Sequence, residues 1–210
     1  MSTKSLYEEH HASRRSPGFS ILKKERGALF VRLLGTGKRI LDLGCRDGAL
    51  TRYFAEGNSV LGVDVDTQAL ARAHADLDIE TRELDAHGDW HELAGEQFDA
   101  VVAGEVLEHL FYPERIAAHV AAHLKPGGMF VGSVPNAFSL KNRLRYLAGK
   151  KKNTPLEDPT HINQFSATEL ATILRKHFST VEITGLGRHE RLARTWPNML
   201  AFDLVFIAKR

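Results

Sequence analysis

From Arg39 onward, short apolar runs alternate with stretches in which apolar residues recur three or four positions apart. RILDL (39–43), SVLGVD (59–64), FDAVVAG (98–104) and MFVGSVPN (129–136) read as strands, with IETRELD (79–85) as a weaker one. GALTRYFAEG (48–57), TQALARAHA (67–75) and ERIAAHVAAHL (114–124) read as helices between them, the second with Thr67 as its cap. Lys125-Pro126-Gly127-Gly128 reads as a turn. This alternation predicts right-handed crossovers and a parallel sheet, and the near-continuous apolar runs predict strands covered on both faces. Upstream, the apolar positions between Ile21 and Leu34 predict a leading helix stopped by Gly35 and Gly37.

After residue 136 the rhythm changes. Phe138 to Pro159 carries no strand pattern. SATELATILRKHF (166–178) predicts a helix capped by Ser166, with Glu169 closing a capping box. STVEITGLG (179–187) and NMLAFDLVFIAKR (198–210) predict two strands whose link is too short for a typical crossover helix, so they should be antiparallel neighbours. The expected fold class is α/β: a Rossmann-like three-layer α/β/α arrangement, with a seven-stranded, mostly parallel sheet and an antiparallel final strand. Residues 1–37 are expected as an N-terminal helical cap, and 38–210 as the main domain with a lid insertion at about 138–160.

Composition changes this picture little. The 210 residues are 43% hydrophobic and 26% charged with a formal net charge of +2, ordinary for a globular chain and too balanced to imply nucleic acid or membrane. A lone cysteine, Cys45, excludes an intrachain disulfide. No apolar run approaches the ~18 residues needed to span a bilayer. MSTKSLYEEHHASRR is too polar for the core of a secretory signal, so the expected location is cytoplasmic, at most membrane-peripheral.

Candidate chemistry lies where the parallel strands end, the edge at which open α/β sheets bind ligands. Gly44 and Gly48, in DLGCRDG, let the backbone turn sharply and approach a ligand, and a helix opening near Gly48 would offer free N–H groups to an anion. Asp42 places a carboxylate beside that turn, suited to an ammonium or sulfonium cation. Asp64 ends the second strand where an acid would grip ribose hydroxyls, and Asp85, followed by Ala86, ends the third where it could receive an adenine amino group.

ILDLGCRDGAL, VLGVDVD, FDAVVAGEVLEHL, LKPGGMFVGSVPN and HINQFSATEL resemble successive motifs of the class I S-adenosylmethionine (SAM)-dependent methyltransferases. The resemblance implies a methyltransferase that binds SAM. It assigns Gly44 and Gly48, with Cys45, to the methionine moiety, Asp64, with Val65, to the ribose, and Asp85, with Ala86, to the adenine. The backbone at Gly104, with Glu105, would lie along the methionine side. Arg46 stands where the family usually has glycine, and its guanidinium could pair with the methionine carboxylate or point outward. An NAD(P)-dependent oxidoreductase fits less well, because Gly44-x3-Gly48 lacks the full G-x-G-x-x-G pattern. A catalytically silent SAM-binding protein would carry the same motifs.

If Glu105-Val106-Leu107-Glu108-His109 is helical, Glu105, Glu108 and His109 share one face, with His161 in PTHINQF opposite. His109 or His161, with Glu108, could act as a general base. Glu105, Glu108, His109 and His161 could instead hold a divalent metal, an arrangement resembling ubiquinone-biosynthesis O-methyltransferases and small-RNA 2′-O-methyltransferases; no particular metal is expected. The segment could also be plain scaffold. Phe138 to Asn153 holds Lys141, Arg143, Arg145, Lys150, Lys151 and Lys152 and no acid, with apolar residues interleaved. Phe138–Lys152 could therefore touch an anionic membrane or close over a substrate. PNAFSLKNRLRYLAG with HINQFS also resembles methyltransferases associated with bacterial cell-surface glycans and lipids. The expected acceptor is a small, sugar or lipid-linked molecule methylated at oxygen, with neither DNA nor RNA as partner.

Overall fold

The computed structural model describes residues 18, 20–187 and 190–210; residues 1–17 of the expected cap lie outside the described residues. Helix α1 (Lys23–Leu34) comes first and ends at Gly35 and Gly37, whose φ values of 66° and 72° suit residues without a Cβ. Strands β1 (Arg39–Leu43), β2 (Ser59–Asp64), β3 (Glu80–Glu83) and β4 (Phe98–Gly104) follow, then β5 (Leu124–Pro135), β6 (Thr180–Leu186) and β7 (Asp203–Lys209). The seven-stranded sheet has the order β3-β2-β1-β4-β5-β7-β6. By compactness the chain divides within β4, into residues 1–102 and 103–210.

In residues 1–102 the pairs β1–β2, β1–β4 and β2–β3 are all parallel. Their apolar runs are buried as expected: Ile40, Leu41, Leu61, Val63 and Val101 are wholly inaccessible. Helix α2 (Thr67–Leu77) packs on β2 and β3. Its N-cap is Asp66 rather than Thr67: the Asp66 carboxylate accepts from Ala69 N at 2.9 Å, and Thr67 is the first helical residue. β3 is short and half-exposed, as its polar sequence requires. At the amino end of these strands, Arg39 pairs with Glu80 (2.8 Å) and Glu96 (3.1 Å), and Arg82 with the same acids at 2.7 and 2.6 Å.

A larger departure concerns residues 48–57, where a helix is expected. The chain forms turns and a single 3-10 turn at Thr51–Tyr53. Gly48 has φ +72°, outside the helical region, and a Cβ there would lie 2.5 Å from Leu77 Cδ1. Its missing side chain makes room for α2.

In residues 103–210, β7 pairs antiparallel with both β5 and β6. Helix α3 (Pro113–His123) precedes β5, which begins at Leu124 and takes in the expected Lys125–Gly128 turn. Helices α4 (Leu140–Leu147) and α5 (Ala167–Leu174) follow β5. Ser166 and Glu169 make the expected capping box, Ser166 Oγ accepting from Glu169 N at 3.2 Å and Glu169 Oε2 accepting from Ser166 N at 3.1 Å. Two short helices, α6 (Glu190–Thr195) and α7 (Pro197–Leu200), occupy the β6–β7 link.

Gly132 in β5 permits a close approach: a Cβ there would overlap the carbonyl oxygen of Ala103 and the Phe206 ring. Gly132→Ala should therefore cost about 1–3 kcal/mol in urea denaturation, the usual scale for overpacking a core. An unchanged midpoint would show that this approach is not constraining.

Candidate functional site

The carboxyl ends of β1 and β2 are joined through one side chain. Asp64 Oδ2 accepts from Arg46 N at 3.0 Å, and Asp64 Oδ1 accepts from Asp66 N at 3.0 Å. The last residue of β2 thus holds both the turn after β1 and its own exit. The N–H groups of Gly44 and Cys45 both donate to Val63 O, at 2.8 and 3.1 Å, and Gly48 N donates to Cys45 O at 3.0 Å. The expectation of a helix near Gly48 offering free N–H groups to an anion is therefore not met: no α-helix starts there, and these donors bond within the chain. Arg46 has φ +52°, left-handed backbone in which glycine costs least, which explains why a glycine would suit this place. Its backbone, bound to Asp64, carries the geometry. Val65 follows at the start of the turn into α2.

Asp42 is buried, and its Oδ2 accepts from Thr51 Oγ1 at 2.6 Å. Burial pushes its carboxyl up to about 7, against the pull of the Thr51 hydroxyl and with a further push from the charge of Asp64. Asp64 is raised by burial too, its backbone N–H partners acting the other way. Two acids whose ionised forms are disfavoured at one strand edge form a site that gains from a nearby cation. Cys45, buried between them, has its thiol pushed well up by burial and then by the charges of Asp42 and Asp64, so it is no nucleophile. Gly62 in β2 makes its room: a Cβ there would lie 2.7 Å from Cys45 Sγ.

Beyond β3, Asp85 Oδ1 accepts from His87 N at 2.9 Å and lies 3.1 Å from His87 Nδ1, leaving the carboxylate exposed at the edge. The Ala86 carbonyl accepts from the indole N–H of buried Trp90 at 3.1 Å, which fixes this loop. Neither Thr51 nor Trp90 stands out in the sequence, since each is a single residue outside any periodic pattern.

In residues 103–210, Gly104 ends β4 and Glu105 takes φ +62°. Glu105 N donates to Ser133 O at 2.9 Å, and Ser133 Oγ donates to Glu105 Oε1 at 2.8 Å. The next residues form a 3-10 turn at Leu107–His109 rather than an α-helix, so the expected shared face of Glu105, Glu108 and His109 does not form. Glu105 is held on Ser133, while Glu108, His109 and His161 converge, each offering a ligand atom within 4.8 Å of the others. The His109 and His161 rings meet edge-on at 4.9 Å, and His109 Nε2 is 3.9 Å from Glu108 Oε1.

Both imidazoles are oriented by carbonyls. His109 Nδ1 lies 3.0 Å from Thr160 O, and His161 Nδ1 lies 3.0 Å from Pro155 O. A carbonyl only accepts, so each Nδ1 carries the hydrogen, and in the neutral ring Nε2 keeps its lone pair. Asn163, which the sequence did not single out, binds the loop to the turn. Its N–H donates to Glu108 O at 2.9 Å, and its Nδ2 donates to Leu107 O at 3.4 Å and to Leu110 O. Asp158 shapes the same loop, accepting from Thr160 N at 3.0 Å and Thr160 Oγ1 at 2.7 Å.

Comparison with known proteins agrees with this architecture. Residues 19–177 match the family described as a methyltransferase domain. A ubiquinone biosynthesis O-methyltransferase of Burkholderia pseudomallei is 31% identical over 166 residues, covering 73% of this chain and 69% of that protein. Its counterpart in Paraburkholderia xenovorans is 30% identical over 164 residues, covering 72% and 68%. Among solved structures, a SAM-dependent methyltransferase from Archaeoglobus fulgidus has a TM-score of 0.67 at 20% identity, covering 100% of both chains. The N-methyltransferase NodS of Bradyrhizobium japonicum, in complex with S-adenosyl-L-homocysteine, has a TM-score of 0.67 at 19% identity, covering 100% of this chain and 99% of that one. At these identities the structures speak for the fold.

The raised Asp42 carboxyl has a thermodynamic signature. Its folded pKa lies above the unfolded value, so its contribution is fully present below about pH 4 and lost as pH rises through about 7. Asp42→Asn keeps an acceptor for Thr51 and removes the titration. Between pH 4 and 8 the ligand-free wild type should lose Tm relative to the variant, by on the order of 5 °C. A pH-independent difference would contradict a raised carboxyl at this site.

Proposed function

This chain belongs to the methyltransferase-domain family and is a class I SAM-dependent methyltransferase; from that premise we propose that it methylates an oxygen of a small-molecule acceptor. The observation that carries this reading is the convergence of Glu108, His109 and His161, with each Nδ1 fixed on a carbonyl. An oxygen acceptor is the nucleophile that gains most from losing its proton, and this cluster can take one. The relatives' description as O-methyltransferases supports the same choice.

SAM, the cofactor, supplies an activated methyl on a positively charged sulfur for in-line transfer. The residues after β1 and β2 fit such a group. An ionised carboxylate has about four lone-pair positions; Asp64 accepts from Arg46 N and Asp66 N and also faces the Val65 N–H, and a ribose diol would take the acceptor capacity that remains. Asp42, raised to about 7, gains from a cation nearby. Asp85 at the exposed edge is assigned to the adenine side, with Val65 and Ala86 as the adjoining backbone. Gly44, Cys45, Arg46, Gly48, Gly104 and Glu105 are assigned to the methionine side.

On the acceptor side His109 is the base. With the Nδ1 hydrogen held by Thr160 O, Nε2 receives the proton of the acceptor hydroxyl, and the nearby Glu108 carboxylate favours the resulting imidazolium. His161 packs against His109 and limits its ring orientation. A second reading has a specific observation behind it: two imidazole nitrogens and a carboxylate, all electron-pair donors, suit a divalent cation that would orient the acceptor. The segment 138–160 is assigned to covering the acceptor, which would be a small, sugar or lipid-linked molecule. Among the described residues no helix is long and apolar enough to cross a membrane.

SAM and S-adenosylhomocysteine should raise Tm at saturating concentration while NAD leaves it unchanged, since only a ligand of the native state stabilises it. Asp64→Ala should weaken SAM binding at least tenfold by calorimetry. Stabilisation by NAD alone, or full affinity in Asp64→Ala, would defeat the assignment.

His109→Ala should lower kcat on a phenolic acceptor by about 10²–10⁴ with SAM affinity preserved. Loss of turnover on chelation, restored by a divalent ion, would select the cation reading over the base. Unchanged turnover both in His109→Ala and after chelation would remove the cluster from the chemistry.

A further inference from the structure

Helices α4, α6 and α7 carry exposed side chains that take no part in the proton and methyl transfer assigned above. Buried Asn136, just after β5, anchors α4 and α7. Asn142 Nδ2 of α4 donates to Asn136 O at 2.8 Å. Asn136 Nδ2 donates to Pro197 O at 2.9 Å and to Ala201 O at 3.0 Å, and Asn136 N donates to Phe202 O at 3.0 Å. α4 and α7 therefore pack together beside the same strand end.

What they expose is unusual for a surface. Leu140, Leu144 and Leu147 recur at helical spacing along α4, and Leu147 is 86% exposed. On α7, which packs on α4, Leu200 is also uncovered, and the residues flanking α7 in the chain, Trp196 and Phe202, are 62% and 56% exposed. Large apolar side chains exposed on elements that pack together mark an interaction surface. The same segment carries Lys141, Arg143, Arg145 and the run Lys150-Lys151-Lys152, with no acid between Phe138 and Asn153. The side chains of Arg143 and Arg145 bond through Nε to the carbonyls of Phe138 (2.6 Å) and Lys152 (3.1 Å), partners that carry no charge of their own.

We propose that this α4–α6–α7 face docks on the surface of a bilayer rich in anionic lipid. Such a surface is the complement of the pattern: cations meet the headgroup charge while leucines and an amphipathic tryptophan enter the boundary beneath it. A second copy of the chain is a poorer occupant, because a symmetric pairing would set these cations against themselves. Nucleic acid would meet the cations and leave the leucines in water. The proposal deepens the reading of 138–160 as an acceptor cover by adding the partner of its outer face, and its test needs neither SAM nor acceptor.

The test uses the full chain with vesicles of phosphatidylglycerol or of phosphatidylcholine at low salt. Trp90 is only 1% exposed, so a change in tryptophan emission on binding reports Trp196. Co-sedimentation with phosphatidylglycerol vesicles, a blue shift of that emission and release by 0.5 M NaCl are expected. Trp196→Phe should abolish the blue shift yet still sediment. Leu144→Glu with Leu147→Glu, both at exposed positions, should weaken binding at least tenfold with the circular dichroism of the wild type, and reversing Lys150, Lys151 and Lys152 to Glu should do the same.

Equal binding to both vesicle types, absence of binding, or binding unaffected by these variants would overturn the proposal. So would a concentration-dependent dimer that the Leu144→Glu, Leu147→Glu variant abolishes and vesicles do not compete with, which would give the face to a second copy. Any of these results would leave the methyl-transfer reading standing.

Discussion

A single carboxylate, Asp64, ties together the strand ends on which the cofactor assignment depends. One oxygen accepts from Arg46 N in the turn after β1 and the other from Asp66 N at the entry to α2. Because both bonds come from backbone, the geometry does not depend on which side chain stands at position 46, and Arg46 can occupy a left-handed position that glycine would fill at lower cost. Burial makes the ionised form of Asp64 expensive, and the charge of Asp64 in turn adds to the cost of ionising buried Asp42. A cation at this edge would offset both. The same arrangement pushes the thiol of buried Cys45 well up, away from its nucleophilic form.

In residues 103–210 the organising groups are carbonyls and amide side chains. Ser133 holds Glu105, Asn163 holds the 3-10 turn at Leu107–His109, and the carbonyls of Thr160 and Pro155 set the hydrogens of His109 and His161. Three electron-pair donors are thereby brought together without any of them lying on a long helix or strand. Asn136 performs the corresponding task for α4 and α7. Its backbone carbonyl holds α4 and its buried side-chain amide holds α7 beside one strand end.

The strands were legible because burial on both faces leaves an unbroken apolar run: 39–43, 59–64 and 98–104 were read with the observed bounds. The capping box at Ser166 and the antiparallel end were legible because each is a local rule with one outcome. Residues 48–57 misled, since their apolar spacing is helical while Gly48 takes φ +72° to admit Leu77, a constraint that comes from α2. Thr67 lost the cap to Asp66, its neighbour and an equally good capping type. EVLEHL looked like a helix face, but the left-handed Glu105 turns the chain before a full turn forms. The acids at the strand ends could be picked out by position. Thr51, Trp90, Asn136 and Asn163 could not, because each acts through hydrogen bonds to partners chosen by the fold.

The central claim is that Asp64, already holding the turn after β1, also receives the ribose of SAM. A crystal structure of the full chain with S-adenosylhomocysteine tests it most directly. Both ribose hydroxyls should lie within about 2.5–3.0 Å of the Asp64 carboxylate oxygens, with the bonds from Arg46 N and Asp66 N intact. A nucleoside bound away from Asp64, with that carboxylate contacting backbone alone, would contradict it.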